Sequence, residues 1–318
     1  MGEWLKGKVA VVTGAGGGLG RAVCIELASH GAKVVVNDLG GALDGSGSST
    51  TPAQKVCDEI KKAGGDAVPN YDSVASMTGG ERIVKTALDA FGRVDILVTC
   101  AGILRDRMVF NMTEKEWDDV IAVHLKGTFA CAKAASIVMR QQRSGRIITF
   151  TSTSGLYGNA GQANYSSAKS AIAGFTKVAA LDVGRYGITV NSVAPMAATR
   201  MTMTEEYRKA RALRAQRGIK REGFGAVEPQ LDEMTPEEVA PVVAYLASDM
   251  AAHINGQVIF VGGPTIAWVA PPRVQKAIYK QGRWTVDELI EVVPNVLTKG
   301  IVNPAPIMAP VPAAEQKK

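Results

Sequence analysis

The chain has 318 residues, of which 46% are hydrophobic and 34 are glycine. A chain of this length can bury one large core but is short for two full domains, so we expect one α/β domain with appendages. Its 36 basic and 30 acidic residues are interspersed, so the net charge of +6 favours metabolite anions over nucleic acid as ligands. The four cysteines form no CxxC pair and only three histidines accompany them, which predicts neither a metal site nor a disulfide framework.

The hydropathy pattern also bears on location. No segment approaches the roughly 18 uninterrupted apolar residues that would span a bilayer. The first residues, MGEWLKGK, carry no apolar stretch of the kind that directs secretion, and the last residues, EQKK, match no peroxisomal address. We therefore expect a cytoplasmic protein without a membrane partner.

Apolar runs of strand length alternate with amphipathic stretches over residues 1–263. Six of these runs, which start at positions 9, 33, 94, 146, 189 and 257, are VAVVT, KVVVND, VDILVT, RIITFTS, TVNSVA and QVIFVGG. A third strand in chain order is expected in DAVPNYDSV. The alternation predicts a Rossmann-type, doubly wound parallel sheet in one domain, and the continuous apolar character indicates helices on both faces. Ligands of such sheets bind beyond the carboxyl ends of the strands.

Two segments exceed a minimal domain of this class. Residues 203–233 form a basic insertion, and residues 264–318 form an extension after the last predicted strand. Within that extension, Thr285 and Glu288 have the spacing of a capping box, which predicts that a short helix begins there. The final residues, NPAPIMAPVPAAEQKK, are typical of a flexible tail.

A glycine-rich turn, TGAGGGLG, follows the first strand and leads into a predicted helix. Gly14, Gly18 and Gly20 have the spacing G-x-x-x-G-x-G, and Leu19 stands where the longer dehydrogenases have a glycine. Because glycines let the backbone approach a pyrophosphate and a helix N-terminus attracts it, the turn predicts a dinucleotide site.

The carboxylate at the end of the second strand predicts which dinucleotide binds. Asp38 can accept hydrogen bonds from the adenosine ribose and would repel a 2′-phosphate, so we expect NAD. Asp72 and Ser73, after the third strand, are expected over the adenine, although a plain turn is an alternative interpretation.

Tyr165 and Lys169 are four residues apart in ANYSSAKSAIAGF, so both side chains lie on one face of a predicted helix. A free phenol titrates near about 10, and a neighbouring ammonium can lower that value by roughly 1 to 3 units. Tyr165 is thus predicted to be the acid/base, and Lys169 would also hold the nicotinamide ribose. Ser152, thirteen residues earlier, would donate a hydrogen bond to the substrate oxygen.

These motifs, in this order, resemble the short-chain dehydrogenase/reductase family over residues 7–263. Segments such as VVVNDLGG, AGILRDRMVF and YGNAGQANYSSAK are similar to the dehydrogenase domain of type 2 peroxisomal multifunctional enzymes, which oxidise (3R)-hydroxyacyl-CoA and some steroids. The resemblance implies that Ala101 and Gly102 contact the cofactor and that Pro195 and Thr199 border the nicotinamide carboxamide. His124 replaces the family's catalytic asparagine; it could keep that role or simply be packed in the core.

The resemblance also implies that the basic insertion lines the substrate entrance. Arg211 and Arg214 belong to a run of seven cations over residues 208–221, which suits a coenzyme A phosphate or, alternatively, a solvated helix face. The predicted reaction therefore interconverts a 3-hydroxyacyl-CoA and a 3-oxoacyl-CoA.

Three alternatives remain open at this point. They are a dehydrogenase of steroids or other hydrophobic alcohols, an acyl-carrier-protein ketoreductase, and a non-catalytic NAD-binding partner subunit. Asp38 argues against the ketoreductase, which generally uses NADPH, and the intact serine, tyrosine and lysine argue against a silent subunit. By resemblance, we expect a homodimer or homotetramer formed through helices around residues 115–142 and 163–180.

Overall fold

The computed structural model describes residues 2–199 and 234–301. Its sheet has eight strands in the spatial order β3-β2-β1-β4-β5-β6-β7-β8. The strands are β1 (Val9–Thr13), β2 (Lys33–Asn37), β3 (Asp66–Asn70), β4 (Ile96–Thr99), β5 (Gly145–Phe150), β6 (Ile188–Met196), β7 (Val258–Gly262) and β8 (Thr265–Val269). The first seven are parallel, which confirms the predicted doubly wound fold.

Helices cover the sheet on both faces. They are α1 (Gly18–Ser29), α2 (Thr51–Lys62), α3 (Met77–Phe91), α4 (Glu114–Ile121), α5 (Gly127–Gln142), α6 (Thr153–Tyr157), α7 (Ala163–Val183) and α8 (Ala240–Ala247). Alternate residues of a strand point to opposite faces. In β1, Ala10 and Val12 pack in the core with α1, α2 and α8, whereas Val9 and Val11 pack in the core with α3, α5 and α7.

The two halves of the sheet meet between β1 and β4. From β1 the chain winds outwards through β2 and β3, and then returns to place β4 on the other side of β1. The chain therefore continues from β1 and from β4 to helices on opposite faces of the sheet, and a cleft is expected between these connections at the carboxyl edge. Both the glycine-rich turn and residues 100–104 follow strands at this cleft.

The eighth strand was not predicted. Residues 264–318 were expected to follow the last strand, yet β8 pairs antiparallel with β7 across a turn in which Gly263 has a φ of +52°. Its residues alternate between partly buried and exposed, as they do in a strand with only one face covered. The predicted parallel sheet is thus extended at this edge by one antiparallel strand, and the expectation that residues 264–318 follow the last strand was wrong for residues 265–269.

Residues 270–301 belong to a separate compact unit. Within it, α9 (Val286–Val292) begins after Thr285, whose hydroxyl accepts the Glu288 N–H while the Glu288 carboxylate accepts the Thr285 N–H. Lys280 also pairs with this carboxylate. The capping box predicted from sequence is therefore confirmed. The predicted basic insertion and the predicted tail lie outside the described residues.

One continuous helical stretch, Glu114–Gln142, is long and apolar enough to cross a membrane by length and composition alone. It comprises α4, a single π-helical turn (Ala122–Lys126) and α5. Half of the most apolar 18-residue segment of this stretch is buried. Cys131, Ala135 and Met139 of α5 pack in the core against the sheet. We therefore interpret it as a core helix of the α/β domain.

Candidate active site

The glycine-rich turn brings the loops after β1 and β4 into backbone contact. Gly14 has a φ of +64°, and a Cβ atom built on it would lie 2.5 Å from the Ala101 Cα. A Cβ built on Gly20 would lie 2.3 Å from the Gly14 carbonyl oxygen. Side chains at either position would displace backbone, so glycine is required for this turn to close against the first turn of α1. The resulting shape suits a pyrophosphate at a helix N-terminus.

Asp38 is held by backbone donors immediately after β2. Its Oδ2 accepts the Gly16 N–H at 2.7 Å, and its Oδ1 accepts the Gly40 N–H at 2.6 Å. Each carboxylate oxygen keeps a further lone pair for a ligand hydroxyl. The two bonds fix the direction of the carboxylate, so a group bound at this edge would meet its negative charge.

A second carboxylate, Asp72, lies in the loop after β3. Its side chain accepts hydrogen bonds from Asn70 and Arg82, and its backbone carbonyl accepts one from Asn37 at 2.9 Å. This network fixes the loop that carries Asp72 and Ser73 beside the end of β2. Asp72 and Ser73 therefore lie in a loop that is held by hydrogen bonds at the edge of a cavity, and their position over the adenine stays a prediction.

That cavity contains most of the predicted cofactor residues. Its lining includes ten of them: Gly14, Gly18, Leu19, Gly20, Asp38, Asp72, Ser73, Ala101, Gly102 and Thr199. It also includes residues that were not predicted as ligands: Gly17, Asn37, Leu39, Gly41, Ala42, Gly45, Val74, Cys100, Ile103 and Val123. The loop between β2 and α2 supplies Gly41, Ala42 and Gly45, and only its richness in glycine could have indicated that it approaches the site.

Lys169 is buried near the end of β5. Its Nζ donates a 2.7 Å hydrogen bond to the Phe150 carbonyl oxygen and lies 5.7 Å from the centroid of the Tyr165 ring. Burial lowers the pKa of Lys169 to about 8, and the nearby Cys100 opposes that shift. The ammonium is therefore placed beside the phenol, where its positive charge favours the phenolate. Burial raises the pKa of the Cys100 thiol to about 12, so Cys100 is an unreactive thiol.

Ser152 lies two residues beyond β5 and caps α6. Its hydroxyl oxygen accepts the Ser154 N–H at 3.1 Å. The preceding Thr151 donates from its hydroxyl to the Lys169 carbonyl oxygen at 2.6 Å, so this stretch is fastened to α7 one turn after Tyr165. The structure thus holds the residues after β5 against the first turns of α7, and the role of Ser152 toward a substrate oxygen stays a prediction.

His124 is buried in the π-helical turn between α4 and α5. Its Nε2 lies 3.0 Å from the Ile103 backbone nitrogen and 2.8 Å from the Ile103 carbonyl oxygen, and its ring meets the Tyr165 ring edge-on at 5.1 Å. Burial lowers its pKa to about 3 and the Lys169 charge adds to this, while the Ile103 hydrogen bond opposes it. His124 is therefore a neutral imidazole next to Tyr165. A Cβ on Gly102 would lie 2.4 Å from the His124 Cε1, so this loop needs glycine to accept the ring.

Five of the predicted binding residues are not in the cavity lining or lie outside the described part of the chain. Pro195 is in β6 opposite Val261 and does not line the cavity. Arg211 and Arg214 lie outside the described residues. Tyr165 and Lys169 do not line the cavity itself; they are joined to its wall through His124 and Gly102.

Chemically, the site combines two elements. A glycine-lined cavity with a fixed carboxylate at its far edge has the shape and charge to hold a dinucleotide. Beyond it, a phenol beside a buried ammonium can exchange a proton with a substrate oxygen.

Comparison with known proteins agrees with this geometry. Residues 8–212 match the family model described as short chain dehydrogenase. The chain is 42% identical to mouse peroxisomal multifunctional enzyme type 2 over 272 residues, which are 86% of this chain but 33% of the mouse enzyme. It is 39% identical to a hydroxyacyl-CoA dehydrogenase of Mycobacterium tuberculosis, over 90% of this chain and 87% of that enzyme.

A solved structure is similar over almost the whole chain. It is a crystal structure of a short chain dehydrogenase from Mycobacterium avium, with a TM-score of 0.77, 40% sequence identity, and coverage of 97% of this chain and 99% of that one. The chain therefore belongs to the short-chain dehydrogenase/reductase family, whose members are oxidoreductases that act on CH–OH groups and use NAD or NADP.

Proposed function

We propose that the chain is an NAD-dependent dehydrogenase that interconverts a 3-hydroxyacyl-CoA and a 3-oxoacyl-CoA. The observation that carries the choice of NAD is the position of Asp38, which lines the cavity with its carboxylate held by two backbone N–H groups. The CoA thioester is supported by the similarity to a hydroxyacyl-CoA dehydrogenase.

In the proposed reaction, bound NAD supplies the nicotinamide ring that accepts hydride from the carbinol carbon. Tyr165 takes the proton of the substrate hydroxyl, and Lys169 stabilises the resulting phenolate. Ser152 donates a hydrogen bond to the same substrate oxygen as its charge changes. In the reverse direction, Tyr165 returns the proton to the ketone oxygen.

The preference for NAD follows from charge. A 2′-phosphate at the adenosine ribose would face the Asp38 carboxylate, which its two backbone bonds prevent from turning away. Two like charges in such contact cost several kcal/mol. The cavity-lining neighbours Gly17 and Leu39 supply no compensating cation.

The CoA part of the proposal is tested with Arg211 and Arg214, which lie in the basic insertion. Replacing both with Gln should raise KM for a 3-hydroxyacyl-CoA and leave kcat nearly unchanged, because contacts remote from the reacting carbon bind ground and transition states alike. Added salt should have the same effect by screening.

The control is a truncated thioester that carries the same acyl group on a pantetheine-like stub. Its KM should respond neither to the substitutions nor to salt. Equal sensitivity of both substrates would show that the arginines act through folding or assembly.

A hydrophobic alcohol or steroid is the second candidate substrate. Apolar side chains are exposed on the loop after β4 and on α6, namely Met108, Val109, Phe110 and Tyr157. The Met108 side chain lies near Gly161, and Gly161 stands between Ser152 and Tyr165 in the sequence. A higher kcat/KM for free hydrophobic alcohols than for CoA thioesters would favour this candidate.

We further propose that the chain forms a homodimer or homotetramer through α5 and α7. Four large apolar side chains on these helices are exposed in the single chain, namely Phe129, Ile137, Val178 and Leu181. Such exposure is typical of a surface that another subunit covers. Light scattering after size exclusion gives the mass directly, and a monomer would refute the proposal. The cytoplasmic location stays a prediction, which cell fractionation would test.

A further inference from the structure

Asn164 is a completely buried amide directly before Tyr165 in the first turn of α7. Its Nδ2 donates to the carbonyl oxygens of Arg105 and Glu116, both at 2.9 Å, and its Oδ1 accepts the Tyr165 N–H at 2.7 Å. One side chain thus joins three parts of the chain: the loop after β4, helix α4 and the start of α7.

The loop that Asn164 holds is the wall of the cofactor cavity. Cys100, Ala101, Gly102 and Ile103 line that cavity, and Arg105 follows two residues later. On the other side the same loop is held by His124, whose Nε2 contacts the backbone of Ile103. The stretch from residue 100 to residue 105 is therefore fixed at one end to the cavity and at the other to the residue before Tyr165.

Additional contacts brace this junction. The side chain of Gln162, at the N-cap position of α7, donates to Asp106 at 2.8 Å and accepts from Asn159 at 2.6 Å. The Arg107 N–H donates to the Gly161 carbonyl oxygen at 2.8 Å. These bonds hold the loop against the segment before α7, and the Asn164 amide adds a contact to the Tyr165 backbone itself.

We propose that Asn164 is a positioning residue that sets the Tyr165 phenol relative to the nicotinamide, because it links the helix start that carries Tyr165 to the loop that lines the cofactor cavity. The inference rests on the proposed dehydrogenase function. Asn164 touches neither substrate nor cofactor in this account; it acts through Tyr165 and through Arg105.

The test replaces Asn164 with Asp, which has the same shape but loses the two N–H donors. A matched control is Asn191→Asp in β6. Asn191 is equally buried, donates to the Ile254 carbonyl oxygen at 2.8 Å and accepts the Gln257 N–H at 3.0 Å, away from the catalytic groups. Both variants should lower the thermal midpoint. Only Asn164→Asp should lower kcat per folded subunit, by about 100-fold for a misplacement near 1 Å.

Two further measurements separate positioning from a merely structural effect. The dissociation constant of NADH, measured from its fluorescence, should change by less than about 3-fold in Asn164→Asp, because Asn164 does not touch the cofactor in this account. A 3-fold change is well under the tenfold change that corresponds to about 1.4 kcal/mol. The primary deuterium isotope effect on kcat should increase, because hydride transfer becomes slower than product release. A loss of folded protein would lower the rate without changing the isotope effect.

The inference is overturned if Asn164→Asp has a kcat and isotope effect like those of Asn191→Asp. If Asn164→Asp does not fold, Asn164→Ser replaces it in the same assays and is held to the same outcomes. If the unaltered enzyme oxidises no CoA thioester or alcohol, the proposed function fails. Hydrogen exchange at residues 103–107 then still tests whether Asn164 holds the loop after β4. The exchange rate should rise in Asn164→Asp and stay unchanged in Asn191→Asp.

Discussion

Replacing Lys169 with Met should stabilise the protein while it abolishes turnover. Burial lowers the pKa of Lys169 from the ordinary lysine value of 10.5 to about 8, and this difference corresponds to about 3 kcal/mol against the charged form at pH 7. Methionine fills a similar volume without a charge. It loses the hydrogen bond to the Phe150 carbonyl oxygen, which costs about 1 kcal/mol. We therefore expect a net gain of about 2 kcal/mol in the free energy of unfolding at pH 7.

The pH dependence of this gain follows from the sign of the pKa difference. Below about pH 8 the lysine is charged in both the folded and the unfolded chain, so its burial penalty is complete. Between about pH 8 and 10.5 the folded protein holds fewer protons than the unfolded chain, so the unaltered protein gains stability as pH rises. The advantage of the Met variant should therefore fall to near zero at about pH 9.5.

Urea unfolding of both proteins at pH 7 and pH 9.5, without cofactor, measures the difference. Lys177→Met, on the same helix but only partly buried, is the control and should change stability by less than about 0.5 kcal/mol. The reasoning is refuted if Lys169→Met is less stable than the unaltered protein at pH 7, or if the gap between them does not depend on pH.

Three further substitutions test other parts of the site. Tyr165→Phe should lower turnover by at least about 100-fold and leave NAD binding intact, since only the proton donor is lost; an active variant would contradict the mechanism. Asp38→Ala should reduce the preference for NAD over NADP, chiefly by weakening the binding of NAD. Similar kcat/KM values for both cofactors in the unaltered enzyme would show that Asp38 does not face the adenosine ribose. Gly102→Ala should lower the thermal midpoint because its methyl group collides with the His124 ring, whereas Gly174→Ala, in open space on α7, should raise stability by about 0.5 to 1 kcal/mol.

The parts of the fold that depend on local pattern could be predicted from the sequence. Continuous apolar runs predicted six of the seven parallel strands, the remaining one was expected in DAVPNYDSV, and the spacing of Thr285 and Glu288 predicted the start of α9. Strand β8 was missed because it follows Gly262, Gly263 and Pro264, which are signals of a chain leaving the sheet. Its alternating exposure is visible only once β7 is known to be its partner.

The candidate site, like the fold, could be predicted from the sequence only where it depends on local pattern. Glycine spacing and the position of Asp38 predicted much of the cavity, since both are motifs within a few residues of a strand end. Asn164 was not singled out, because its function depends on two backbone carbonyl groups that are 59 and 48 residues away in the chain. Likewise, Ala42 and Gly45 come to the cavity through the long loop after β2, and no local pattern predicts where such a loop lies.

The central claim is NAD-dependent oxidation of a 3-hydroxyacyl-CoA with Tyr165 as the acid/base. It is tested most directly by the initial rate of NADH formation, followed by absorbance, with both enantiomers of several 3-hydroxyacyl-CoAs beside steroids and free alcohols. We predict that one enantiomer of a CoA thioester gives the highest kcat/KM with NAD and that Tyr165→Phe removes this activity. Binding of NAD without reduction of NAD or NADP by any of these substrates would contradict the account and would favour a non-catalytic partner subunit.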